Sequence, residues 1–299
     1  MSSSRLGAVQ PGSTGVFLGS LAGQPAAVIR SLVAQMEELG YGTLWYGEAV
    51  GREAFAFGAL LLAATSRLVV ASGIANIYAR DPMTTANGAR ALQEGWPDRF
   101  ILGLGVSHQP MVESRGHLYG RPLATMRSYL DKLEEAPWRG PSVSLPPIVL
   151  AALGPRMAAL AAARTAGAYP YFTTAEHVRS MRAAIGPEPF IAADLPVVLA
   201  ETREQARRIG DAHTKRYLQT ANYRNNLLRL GWSEADLEPP GSDRLFDAIV
   251  AWGDVAAVGK RAEAHREAGA DQVVFNLVTA DPSKPYVEEL RALAQLTRA

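Results

Sequence analysis

Residues 68–82 read Leu-Val-Val-Ala-Ser-Gly-Ile-Ala-Asn-Ile-Tyr-Ala-Arg-Asp-Pro. The run Leu68–Ala71 is short, apolar and β-branched, the signature of a strand buried on both faces. It does not fade into an ordinary turn. It passes through Ser72 and Gly73 into Ile74, then Asn76, Tyr78 and Arg80. In α/β folds ligands sit beyond the carboxyl ends of strands, where loops vary without disturbing the core. An apolar strand opening onto polar groups fits such a site. It also fits a plain strand-to-helix loop with Arg80 in solvent and Pro82 starting the next helix.

Outward from this segment, strand-like and helix-like stretches alternate. Strands are expected at Gly15–Gly19, Thr43–Tyr46, Leu68–Gly73, Phe100–Leu104, Ile148–Ala152, Ala168–Phe172, Pro196–Ala200 and Gln272–Leu277. Between them, Ile29, Leu32, Val33, Met36 and Leu39 form one helical stripe ending at Gly40, and Glu53–Ser66, Pro82–Gly95, Leu123–Ala136, Pro155–Ala166, Ala175–Ile185 and Val255–Ala268 read as further helices. Pro285–Leu296 closes the chain. Eight such units in succession indicate an α/β fold of the (β/α)8 TIM barrel type, about 250 residues in its usual form. The extra length falls in Arg203–Gly253, a helical insertion around strand seven, so residues 1–299 are expected to form one barrel domain with an insertion at about 203–253. A doubly wound open sheet is the alternative. Its glycine-rich first turn is missing, since Gly19-Ser20-Leu21-Ala22-Gly23 lacks the GxGxxG spacing.

Bulk composition narrows the partners. The 299 residues carry a formal charge of +1, which gives no electrostatic signal for nucleic acid or an anionic membrane. There is no cysteine, so disulfides and thiolate metal sites are excluded, and no His/Asp/Glu spacing suggests a metal. Met-Ser-Ser-Ser-Arg lacks the apolar core of a signal peptide, and the longest apolar stretch, near Phe55–Ala64, is too short to span a bilayer. A cytoplasmic protein acting on a small molecule is the expectation.

In a barrel, the strand ends carry the function. Glu48 follows strand two. Asn76, Tyr78 and Arg80 follow strand three. Ser107 and His108 follow strand four. His108 is one of five histidines and stands at a strand end, unlike His177, His213 and His265 in helical stretches. There it serves as a proton donor or as an ordinary structural imidazole. Glu48 orients it, acts as a base, or is a first-turn helix acid. Gly154-Pro155-Arg156 after strand five pairs a close-approach glycine with a helix-opening proline and a cation. That combination either binds an anion such as phosphate or simply opens a helix. Tyr217, Tyr223 and Trp232 either cap the pocket or pack insertion helices together.

Four segments in order, Leu44–Glu48, Ser72–Pro82, Asp98–His108 and Leu150–Met157, resemble the bacterial luciferase-like family, especially its deazaflavin-dependent branch. That resemblance implies a flavin-type ring at the barrel mouth: coenzyme F420, or alternatively FMN. It also implies a non-prolyl cis peptide at Gly73–Ile74 pressed against the ring. Gly73, Ile74, Asn76, Tyr78, Arg80 and Ser107 would then contact the coenzyme, and Gly154, Pro155 and Arg156 its phosphate. His108 and Glu48 would be the catalytic residues. Where several deazaflavin relatives carry Asp-His after strand two, this chain has Glu48-Ala49. The implied activity is hydride transfer to an organic substrate, with an FMN-dependent monooxygenase as the alternative and a non-catalytic coenzyme-binding barrel as the second. Relatives imply a homodimer packed through helices of the second and third units, for which the apolar stretch at Ala54–Ala64 is a candidate face.

Overall fold

A computed structural model describes residues 5–281, 283–284 and 286–297. Met1–Ser4 and Pro285, at the head of the last expected helix, lie outside the described residues. The strands are β1 (Thr14–Phe17), β2 (Thr43–Tyr46), β3 (Val69–Ser72), β4 (Ala75–Asn76), β5 (Phe100–Gly105), β6 (Ile148–Ala151), β7 (Gly167–Tyr169), β8 (Phe190–Leu199), β9 (Ala251–Gly253) and β10 (Gln272–Leu277). Neighbours are parallel, and β10 pairs with both β1 and β8, which closes the ring. Helices cover the outside. The result is a (β/α)8 barrel, with β3 and β4 as two pieces of a single stave.

Alternation along the strands sorts side chains to two sides. Phe17, Trp45, Val69, Ala71, Ile101, Val149, Tyr169, Ala192 and Val274 form one cluster inside the barrel, with Leu6 and Val9 in the same cluster. Trp45 and Tyr169 stack at 4.5 Å between ring centroids. The Trp45 indole donates to Gln272 Oε1 at 2.7 Å, so its polar atom is satisfied within the core. Val16, Leu44, Val70, Leu102, Leu150 and Val273 join the outer cluster, against Ile29, Leu32, Val33 and Met36 of the helix Ala26–Glu38. On the Ala54–Ala63 helix, Ala54, Phe57, Leu61 and Leu62 are buried in that cluster, while Phe55, Ala59 and Leu60 are half-buried. One side of the apolar stretch is therefore core.

Strand seven departs from the reading at Pro196–Ala200. It begins at Phe190 and runs ten residues to Leu199. Pro196 sits well inside it, opposite Asn276, instead of opening it. The mixed run Ala-Ala-Asp hid the strand's first half, because Asp194 breaks the apolar pattern. The insertion is helical at Arg203–Leu218, Ala221–Arg229 and Asp243–Ile249, and returns to the barrel wall as β9. β7 pairs only with Phe190 and Ile191 of β8; the upper end, Val197–Leu199, is paired by β9. The final helix is Val287–Leu293, continued by a 3-10 turn at Ala294–Thr297.

Buried titratable groups tie this packing to pH. Burial holds His177, His213 and His265 down to a pKa of about 4, while it pushes Asp194 up to about 8. Between pH 6.5 and 4, unfolding takes up three histidine protons and releases one from Asp194, a net uptake of two. Stability therefore falls by about 2.7 kcal/mol per pH unit as the pH drops through that window. From pH 6.5 to 8 Asp194 acts alone, and stability falls by about 1.4 kcal/mol per unit as the pH rises. Urea unfolding at a series of pH values is expected to give a maximum near pH 6.5, with Asp194→Asn flattening the alkaline side and steepening the acid side to about 4.1 kcal/mol per unit. A flat profile between pH 4.5 and 6.5 would contradict the burial of these imidazoles.

Candidate active site

The third stave is broken where the sequence changes character. Val70 and Ala71 pair with Phe100 and Ile101, whereas Ala75 and Asn76 pair with Leu104 and Gly105. Three residues, Ser72–Ile74, thus lie opposite two, Leu102 and Gly103, a bulge. Within it the Gly73–Ile74 peptide is cis. The Ser72 hydroxyl bridges the gap, donating to Gly103 O and accepting from Gly103 N, both at 2.9 Å. Two glycines of β5 make the close approach possible. A Cβ on Gly103 would collide with the Ser72 carbonyl, and one on Gly105 would lie 2.6 Å from Ile74 Cγ1. Ile74 is a half-buried apolar step, packed against the cluster inside the barrel.

A buried ion pair fastens the far side of the bulge. The Glu48 carboxylate and the Arg80 guanidinium form a bidentate pair, with side chains only 5% and 7% exposed. Glu48 also accepts from Ala54 N at 3.1 Å and Asn76 N at 2.8 Å, so its acceptor positions are taken. Glu48 N in turn donates to Ile74 O at 3.2 Å. Arg80 reaches Glu53 at 2.8 Å and lies over the Phe55 ring. Its guanidinium thus turns toward the second unit. Asn76 Oδ1 accepts from Tyr78 N at 2.9 Å, but its Nδ2 is buried with no partner. The Tyr78 hydroxyl accepts from Gly120 N at 2.9 Å, anchoring the loop that follows β5.

Ser107 and His108 lie across the mouth. Ser107 has φ +58°, and His108 precedes the short helix Gln109–Glu113. The imidazole faces Tyr223 of the insertion, with ring centroids 5.5 Å apart. Burial lowers the pKa of His108 below its ordinary value; Asn222, by hydrogen bonding, opposes that shift and Arg216 adds to it. No hydrogen bond joins Glu48 to His108 among the described residues. Tyr171, Tyr217 and Tyr223 form an edge-on aromatic cluster with Phe172, and Tyr171 reaches Phe17 of β1 at 5.8 Å. Tyr217 and Tyr223 therefore reach the barrel mouth, whereas Trp232 packs under Arg244.

The Gly154 turn forms another part of the rim. Gly154 precedes the helix Pro155–Arg164, and its carbonyl accepts from Met157 N and Ala158 N. Arg156 is exposed and, with Arg121 and Arg127, lines a cleft of about 440 Å³. No sequence motif marks a further cation here. Arg229, from the second insertion helix, donates to Leu153 O at 2.9 Å and lies 3.6 Å from where a Cβ on Gly154 would stand. Asp194 is another residue the strand pattern concealed. It is fully buried, accepts from Phe172 N at 3.2 Å, and leaves Oδ1 unpaired.

The structure thus brings Gly73, Ile74 and Asn76 together on one side of the mouth, and His108 with the insertion's tyrosines on the other. An apolar step beside an unpartnered amide donor suits a flat ring with a carbonyl edge. The Gly154 turn, flanked by Arg156 and Arg229, suits an anionic tail.

The chain belongs to the luciferase-like monooxygenase family, which it matches over residues 9–272. A putative coenzyme F420-dependent oxidoreductase of Mycobacterium tuberculosis is 31% identical over 190 residues, 53% of this chain and 55% of that protein. The chain thus spans about half the length of that curated relative. Among solved structures, the F420-dependent tetrahydromethanopterin reductase of Methanopyrus kandleri superposes with a TM-score of 0.73 at 16% identity, covering 96% of this chain and 98% of that one. The FMN complex of a type II Baeyer-Villiger monooxygenase from Pseudomonas putida gives 0.70 at 13% identity, covering 96% of each. At such identities these two structures share the fold.

The buried pair gives a direct test. Glu48→Gln leaves the Arg80 charge buried beside the more exposed Glu53, and is expected to cost about 3 kcal/mol in urea unfolding. Adding Arg80→Met should recover part of that loss. A cost below about 0.5 kcal/mol would be that of a surface pair and would contradict its role as the clamp.

Proposed function

We propose that the protein is an oxidoreductase passing a hydride between a deazaflavin coenzyme of the F420 type and a small organic substrate. The observation that carries this reading is the bulge: Ile74 raised over Gly105, beside a buried Asn76 Nδ2 with no partner. Gly73 and Ile74 would support one apolar face of the ring, and Asn76 would donate to a ring carbonyl. Tyr78 and Ser107 would border it, and Gly154, Pro155, Arg156 and Arg229 would hold the phosphate. When bound, a deazaflavin supplies a ring carbon that takes or returns a hydride.

His108 would move the proton. Burial keeps its imidazole neutral at neutral pH, so it can accept the proton of a substrate hydroxyl and return it in the reverse direction. Glu48 and Arg80 would act as positioning residues, since their charges are spent on each other and on the loop backbone. Residues 1–299 would form one barrel domain with its insertion at about 203–253, acting as a homodimer in the cytoplasm. The relative named for F420 supports the deazaflavin over FMN.

Fluorescence titration of the purified protein with F420 and with FMN separates the readings. Saturable binding of F420 with little of FMN is expected. Tight FMN binding without F420 binding would overturn the coenzyme assignment and favour a monooxygenase. His108→Ala is expected to lower kcat roughly a hundredfold, with coenzyme affinity preserved. Unchanged turnover would remove His108 from the chemistry. Bound coenzyme without turnover across a wide substrate panel would favour a binding protein.

A further inference from the structure

The tyrosine pair at the mouth has a fixed hydrogen-bond polarity. Tyr171 and Tyr217 hydroxyls lie 2.8 Å apart, and Asn276 Nδ2 lies 2.7 Å from the Tyr171 oxygen. An amide nitrogen donates and cannot accept. Asn276 therefore occupies one acceptor position of Tyr171, and the arrangement that also uses the Tyr171 O–H turns it to the Tyr217 oxygen. Two hydroxyls then share one hydrogen bond, and the O–H left over belongs to Tyr217. Tyr217 is only half-buried, on the insertion helix Arg203–Leu218, and its ring meets Tyr223, whose ring meets His108. The spare donor and the imidazole thus flank the same aromatic wall.

We propose that Tyr217 is a substrate-binding donor at the barrel mouth, held donor-outward by the chain Asn276–Tyr171, and that it selects compounds carrying an acceptor oxygen, such as ketones and aldehydes. This rests on the proposed function only in that the mouth admits a small organic molecule. Asn276 and Tyr171 are positioning residues that act through Tyr217. An unmet donor in a half-buried site discriminates against an isostere lacking the acceptor, because binding that isostere leaves the donor unpaired.

The test compares two probes of nearly equal shape, cyclohexanone and methylenecyclohexane, by saturation-transfer NMR titration of the full chain with and without F420. Wild-type protein is expected to bind the ketone about tenfold more tightly, the value of one neutral hydrogen bond. Tyr217→Phe should bind both probes alike. Tyr171→Phe, which keeps the Tyr217 hydroxyl but frees its orientation, should retain part of the preference, and thermal unfolding checks that both variants fold. An undiminished preference in Tyr217→Phe, no preference in the wild type, or no binding of either probe would overturn the proposal. F420 affinity should be the same in wild type and Tyr217→Phe. A wild type that shows the ketone preference but binds no F420 would overturn the coenzyme reading and leave this one standing.

Discussion

Everything at the mouth depends on one buried carboxylate. Glu48 binds Arg80, the amide of Asn76 and the amide that opens the Ala54–Ala63 helix, while its own amide takes the carbonyl of Ile74. A single side chain thereby locks the second unit of the barrel to the broken third stave. Removing two charges from water is costly, and the pair holds only because each has several partners. The four acceptor sites of the carboxylate are matched by four donors, which ties the bulge to the segment that follows β2. The missing side chains of Gly103 and Gly105 then let Ser72 and Ile74 settle against β5.

The opposite side of the mouth is built on another principle. There the barrel wall is shared: β7 covers the lower end of β8 and β9 the upper end, so the chain between them leaves the wall at Tyr171 and Phe172. Phe172 has φ +54° and its amide is held by Asp194. Aromatic side chains from the insertion fill the resulting gap and carry the polar groups with them. One flank of the site is thus rigid backbone with an apolar step. The other is a wall of rings edged by an imidazole and hydroxyls. Such a division suits a bound ring on the first flank and a substrate facing the second.

Much of the barrel could be read from the sequence, because its strands are short apolar runs and its helices carry stripes such as Ile29, Leu32, Val33 and Met36. The break after Ser72 was legible through Gly73 and the polar residues beyond it, and the structure has the Gly73–Ile74 peptide cis as the family resemblance implied. Strand seven was only half seen, since Asp194 interrupts its apolar pattern and Pro196 looked like a beginning. Arg80 was legible as a cation after strand three, but its pairing with Glu48 and Glu53 was not, because a sequence does not show which distant charges meet. Arg229 and the Tyr171–Asn276 contact join residues 76 and 105 positions apart, and no periodicity reports such contacts.

The central claim is that the step at Ile74 supports a planar redox ring. A crystal structure of the protein soaked with oxidised F420 tests it most directly. The expected result is a ring lying against Ile74, with a ring carbonyl accepting from Asn76 Nδ2 and the phosphate at Gly154–Arg156. A coenzyme bound elsewhere, or Asn76 Nδ2 still without a partner in a complex at full occupancy, would contradict it.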